Sequence, residues 1–335
     1  VTTVYESDVV RAIRGFKAEL RAHEGVQVNL MAMKYLDVER ALEGNIAALV
    51  EQLARLKSEG IEPNWSQLYR LERWQALQLQ LMEELARFNG WAADVIKAEQ
   101  LDLITQGIDN AAAVLEASKP GLGQFTKMPH DALRGMVGIA RDGSPFADLL
   151  AGSYPAIRDV MTRELIRSVA LGRNPRVTAA LVRKATGMGL DRALTIARTE
   201  QMRVYREASR ESYAAAGVRM FRRIAALDER TCISCLVADG ELLSSEQEMD
   251  EHISGRCDLL PEIVGVDNPI SESGFDWFAR QDEAVQRDIM GPGRFDAYRS
   301  GAASWQDMAV HTHDATWGGS LHPAPVSSLG ARVAA

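Results

Sequence analysis

Apolar residues recur at gaps of three and four through much of the first 120 residues, a spacing that commits the chain to helices buried along one stripe. Leu42, Ile46, Leu49, Leu53 and Leu56 form one such row, closed by Gly60. After the break "EPNWSQ", where Asn64 or Ser66 can cap a new helix, Trp74, Leu77, Leu81, Leu85, Phe88, Trp91 and Val95 form another. Two long helices joined by a short turn pair as a hairpin, so residues 1–118 are expected to be a helical arm, a shape suited to gripping neighbours in an assembly.

The stretch "ASKPGLGQFTKMP" has two prolines and two glycines and reads as a linker, which places a boundary at 118/119 and a second domain over 119–310. Within it, shorter helices are expected over 150–217: about 154–172, 175–186 with Pro175 behind Asn174, and 190–216 closed by Gly217. "VRMFRRIAAL" reads as a strand leading into a cysteine segment, giving a module at 218–262. Helices resume over 275–310, where "IMGPGRFDAYRSG" is a turn between two short helices with Phe295, Tyr298 and Trp305 packing inward. Residues 311–335 lack periodicity and are expected to be a flexible tail with solvated His311, His313 and His322. The fold class is therefore α+β and predominantly α-helical: a long helical N-terminal arm, then a C-terminal α+β module carrying a small Cys/His-pinned β-hairpin.

All three cysteines fall within 26 residues, as Cys232, Cys235 and Cys257, with His252 between the pair and the last. An odd cysteine count argues against a disulfide framework. Two thiols at CxxC spacing, a histidine and a third thiol are the four ligands that tetrahedral zinc takes. Such a closed set leaves no open position for water and would serve as a structural knot, not a Lewis acid. Three buried thiols beside an incidental histidine remain the alternative. The order HxE then PCxxC of the zinc deaminases does not occur.

The net charge of −8 disfavours a dedicated nucleic-acid binder, but it hides an asymmetry. Residues 158–223 hold fifteen Arg or Lys against six Asp or Glu, a local net of +9. Arg198, Arg203, Arg206, Arg210, Arg222 and Arg223 are the candidates for a face that docks nucleic acid or an acidic partner; a solvated helical surface is the other reading. Glu200 and Arg203 are three apart and face each other, while Arg198 points elsewhere and can reach Asp228 or Glu229. No apolar run approaches the roughly 18 to 20 residues that span a bilayer, and the first residues lack a signal-peptide layout, so a soluble chain made in a cytoplasm, with no membrane partner, is expected.

Several of these elements occur in a familiar order. "ARTE" on a helix (Ala197 to Glu200), an aromatic-bearing continuation, a strand into "LDERTCISC", then "DG", then a His-to-Cys closure ending in "RC" and a following Pro together resemble the Mu F-like head-morphogenesis family of tailed phages. The likeness covers roughly Leu190 to Pro261, and more loosely Phe278 to Met308. Family members close with an HPxCRC-type run, whereas this chain has "HISGRC", with Ile253 in place of Pro and Gly255 in place of an extra Cys. The resemblance implies a minor structural protein of the phage head, located in the virion and assembled in the host cytoplasm. It would associate with portal and capsid proteins, and potentially packaged DNA, during head assembly, packaging or ejection. The alternatives are a phage-encoded enzyme, nuclease or ADP-ribosyltransferase-like, and a zinc-dependent nucleic-acid-binding regulator.

Overall fold

A computed structural model describes residues 8–61, 64–125, 133–140, 143–228, 230–270, 272–314 and 318–329. The first helix, α1 (Asp8–Ser58), runs 51 residues, and a short α2 (Trp65–Arg70) leads into the 47-residue α3 (Glu72–Ser118). Asn64, not Ser66, caps α2: its side chain accepts from the Gln67 amide at 3.0 Å while Gln67 Oε1 accepts from the Asn64 amide at 3.1 Å. Four more helices follow, α4 (Phe146–Ala151), α5 (Tyr154–Ala170), α6 (Pro175–Thr186) and α7 (Met188–Ala215), the last closed by Gly217 at φ 86°. The long helical arm and the predominantly α-helical α+β class are both present.

The chain forms two compact units whose boundary differs from the expected 118/119. One unit joins Arg21–Ala98 to Ser144–Ala197. Its core holds the predicted rows, with Leu42, Ile46, Leu49, Leu53, Trp74, Leu77, Leu81, Leu85 and Phe88 all buried beside Ile157, Met161, Leu165 and Val182. Lys57 Nζ donates to the Val169 and Ala170 carbonyls at 2.5 and 2.7 Å, meeting the free carbonyl end of α5. The Tyr35 hydroxyl donates to the Thr186 carbonyl at the end of α6. The middle of the arm is thus shared with α5 and α6, which the linker-based division had assigned to the second domain.

The other unit takes the start of α1 to Leu20, Glu99–Gly143, and the described chain from Arg198 onward. Helices α3 and α7 approach closely here because Gly107 has no side chain: a Cβ there would lie 2.8 Å from the Tyr205 carbonyl oxygen. Asn110 Nδ2 donates to the Tyr205 hydroxyl at 3.0 Å, satisfying both buried groups. A three-stranded antiparallel sheet of order β2-β1-β3 follows, built from β1 (Met220–Ile224), β2 (Leu242–Ser244) and β3 (Asp258–Pro261). The register pairs Phe221 with Leu243 and with Pro261. A one-turn helix, α8 (Ile233–Val237), lies in the connection from β1 to β2, so the CxxC pair sits in the link of an antiparallel strand pair. Phe221, Ile224, Leu243, Leu259 and Leu260 pack with Val114, Leu115 and Tyr213 in one core cluster that includes Cys235 and Cys257.

Helices α9 (Gly274–Ala279), α10 (Glu283–Met290) and α11 (Pro292–Arg299) form a second cluster with Leu236, Trp277, Phe278, Met290, Phe295, Trp305 and Met308. Gly291, at φ 76°, makes the expected turn between α10 and α11. The flexible tail expected from 311 is corrected: β4 (Ala309–Asp314) and β5 (Gly318–Pro323) pair antiparallel, and α12 (Val326–Leu329) follows. "HTHD" carries no apolar alternation because the pair is held by backbone bonds and by buried Ser320 and Leu321, not by an apolar stripe on both strands. Among the described residues no helix is long and apolar enough to cross a membrane.

Candidate metal centre

Cys232 is the N-cap residue just before α8 and Cys235 lies within its single turn, which is how CxxC spacing turns two thiols toward one point. His252 comes from the loop after β2, and Cys257 immediately precedes β3. The donor atoms of Cys232, Cys235 and His252 all lie within 4.8 Å of one another, as do those of Cys235, Glu251 and Cys257. The two triads share Cys235. His252 Nε2 is 3.3 Å from Cys232 Sγ and 3.2 Å from Cys235 Sγ. An S–N edge of a zinc tetrahedron is about 3.5 Å, given ligand bonds of roughly 2.3 and 2.0 Å. The spacing is therefore close to what a shared ion needs.

The ring is oriented from behind. His252 Nδ1 lies 2.8 Å from the Ile253 carbonyl, so that nitrogen donates and Nε2 is left to face the sulfurs. Ile253 supplies this carbonyl. Ser254 sits in the left-handed region at φ 59°, and its amide donates to Thr199 Oγ1 on α7 at 3.0 Å. At the other end, Arg256 makes two bonds to the Asp228 carboxylate, at 2.8 and 2.9 Å, tying the residue before Cys257 to the turn before Cys232. Arg256 is thus a partner of Asp228, the carboxylate that the sequence reading had offered to Arg198; Glu229 lies outside the described residues.

Electrostatics explain why a cation fits. The hydrogen bond from the Cys235 thiol, reinforced by the His252 ring and opposed by burial, pulls the Cys232 thiol down to about 3. Cys235 moves the other way, held protonated by its hydrogen bonds to Cys232 and then Cys257 and by burial. Burial disfavours the charged His252 ring, yet the Cys232 hydrogen bond and the Glu251 charge outweigh it and push the ring up to about 9. Crowded thiols can release only part of their protons on their own; a divalent cation among them would let the remainder ionise.

Glu251 is the member that the sequence reading missed. Its side chain is 6% exposed, its Oε1 is 3.9 Å from Cys235 Sγ and 3.4 Å from Arg223, and its Oε2 is 3.7 Å from Arg206. A Cβ at Gly255 would overlap the Glu251 side chain, so this carboxylate fills the space beside Gly255. Arg223, fully buried, donates to the Asp250 carbonyl at 2.7 Å and supplies positive charge beneath the thiols.

Most of the arginines singled out as a docking face also make ion pairs and hydrogen bonds inside this unit. Arg203 pairs with Glu200 at 2.7 Å, Arg206 reaches Glu251 and the Gly255 and Cys257 carbonyls, and Arg210 binds Glu207, Glu211 and the Ser245 carbonyl. Arg222 pairs with Glu262 at 2.6 Å, and Arg223 lies between Glu241 and Glu251. Arg198 is half-buried on α7. The cleft beside the cluster, lined by Thr199, Arg203, Arg206, Glu251 and His252, has a volume of about 60 Å³. Organic ligands occupy pockets of roughly 300 Å³ or more, so this one admits water and little else.

Compared with known proteins, the chain matches no family model, no curated protein and no solved structure. The cluster's chemistry is consequently read from its own geometry: Cys232, Cys235, His252 and Cys257, with Glu251 beside them, form a group that could hold a metal ion.

Proposed function

We propose that this chain is a non-catalytic structural protein of a tailed-phage head whose C-terminal module is locked by one zinc ion. The carrying observation is convergence: Arg198–Glu200 of "ARTE", a strand, a CxxC turn and a His-to-Cys closure, which resemble Mu F-like head proteins in sequence order, lie in one unit around two donor triads that share Cys235. Zinc is favoured over harder cations because the donors are three thiols and an imidazole. Its role is structural, since four protein donors leave no position for a reacting water and the adjoining cleft has no room for a substrate. The arm, with its exposed Val26, Leu30, Met33 and Leu36 on α1, supplies surface for portal or capsid subunits. The local net of +9 over residues 158–223 keeps packaged DNA as a second partner in this reading.

The test is compositional. Purified phage heads from a host carrying the gene should contain the chain in few copies, and an antiserum against it should co-precipitate the portal protein. Heads that lack the chain while it accumulates free in the host cytoplasm would overturn the assignment.

A further inference from the structure

The segment that carries His252 has no helix or strand of its own, so its buried backbone carbonyls depend on bonds to neighbouring groups. The Asp250 carbonyl accepts from Arg223 and the His252 carbonyl from the Gly255 amide, at 2.7 and 2.9 Å. The carbonyl between them, that of Glu251, accepts from Ser320 Oγ at 2.9 Å. Ser320 lies on β5, 69 residues further along the chain, and is 2% exposed. The same hairpin reaches the neighbouring side chain: His311 Nδ1 on β4 is 3.0 Å from the Asp250 carboxylate. Gly319 leaves space for that carboxylate, since a Cβ there would come within 2.7 Å of Asp250 Cγ.

We infer that the β4–β5 hairpin is a clamp that positions His252 for the metal, with Ser320 as its positioning residue. The inference rests on the metal reading above. A ligand nitrogen must sit within a few tenths of an ångström of its ideal distance, and the peptide that sets the direction of His252 is the one Ser320 holds. Outer contacts of this kind change metal affinity by about 10- to 100-fold when removed. Coupling is reciprocal: if the docked hairpin favours the metal, the bound metal favours the docked hairpin.

The experiment uses the full chain loaded with zinc, in wild-type form and as Ser320→Ala, Ser320→Thr and Gly319→Val. Zinc release to a chromophoric chelator is timed, the cobalt-substituted spectrum is recorded, and amide exchange over 309–323 is followed with and without zinc. Release should quicken about tenfold or more in Ser320→Ala and Gly319→Val, with altered cobalt bands. Ser320→Thr, which keeps the hydroxyl, should restore both, and zinc should slow exchange in the wild-type hairpin. Release within twofold of wild type in both disruptive variants, or hairpin exchange indifferent to zinc, would overturn the clamp while leaving the metal site standing. A wild-type chain that retains neither zinc nor cobalt would overturn both.

Discussion

Replacing Arg223 with methionine keeps most of the buried volume and removes the charge, and it separates electrostatic support of the centre from packing. The side chain is fully buried, and four groups depend on it: the Asp250 carbonyl at 2.7 Å, Glu251 at 3.4 Å, Glu241 at 3.7 Å and the Cys257 thiol, with which it shares a hydrogen bond. Glu241 keeps solvent contact at 35% exposure, whereas Glu251, at 6%, is left as a buried carboxylate held by Arg206 at 3.7 Å, the His252 ring at 3.7 Å and the His252 amide at 3.1 Å. Breaking a buried pair from one side costs about 3–5 kcal/mol, and the remaining Arg206 places the expected loss near the lower end, about 3–4 kcal/mol. Urea unfolding should be followed by a probe of this unit, such as fluorescence of the buried Trp277 and Trp305 in a variant lacking Trp65, Trp74 and Trp91. Because the cost comes from the stranded carboxylate, Arg223→Met combined with Glu251→Gln should recover about half of it or more. A loss below about 1 kcal/mol for the single variant, or a double variant that simply sums the two losses, would refute the reasoning.

Further outcomes follow from the same structure. In metal-stripped protein the Cys232 thiolate, held at about 3, and the charged His252 ring, held at about 9, should coexist between those limits; the thiolate's contribution to stability is lost as pH falls toward 3 and the ring's as pH rises through 9. Alkylation of Cys232 at pH 5 should then run within a few fold of its rate at pH 8, where an ordinary thiol would slow by roughly 1,000-fold, and such slowing would count against the pair. Gly107→Val should force α3 from α7 and cost about 3 kcal/mol or more, read as a lowered urea midpoint, because its Cβ meets the Tyr205 carbonyl and the Ala208 Cβ. Asn64→Ala should cost about 1 kcal/mol through loss of the capping box, measured by the same melts on the arm's unit.

The helices were legible because their signals are local. Rows such as Leu42 to Leu53 and Trp74 to Phe88 repeat at helical spacing, and each named member is buried. The four candidate ligands were legible because CxxC, His and Cys are rare residue types in a short window. Glu251 was not, since "EQEMDEH" offers four acidic residues and only the fold shows which one turns inward. Arg223 reads as one more basic residue until β1 places it between two carboxylates and beneath the thiols. The unit boundary was hidden because α1, α3 and α7 each contribute residues to both units, so no break in composition marks it. The β4–β5 hairpin was missed for a related reason: its support comes from contacts with Asp250 and Glu251, far away in sequence.

The central claim is that Cys232, Cys235, His252 and Cys257 close on a single ion. Cobalt titration of the metal-stripped full chain tests it most directly, followed by displacement with zinc. One equivalent should produce intense tetrahedral d–d bands with thiolate charge-transfer absorption, both abolished by an equivalent of zinc, and Cys257→Ser should weaken the charge transfer. An octahedral spectrum, a stoichiometry far from one, or a Cys257→Ser spectrum identical to wild type would contradict it.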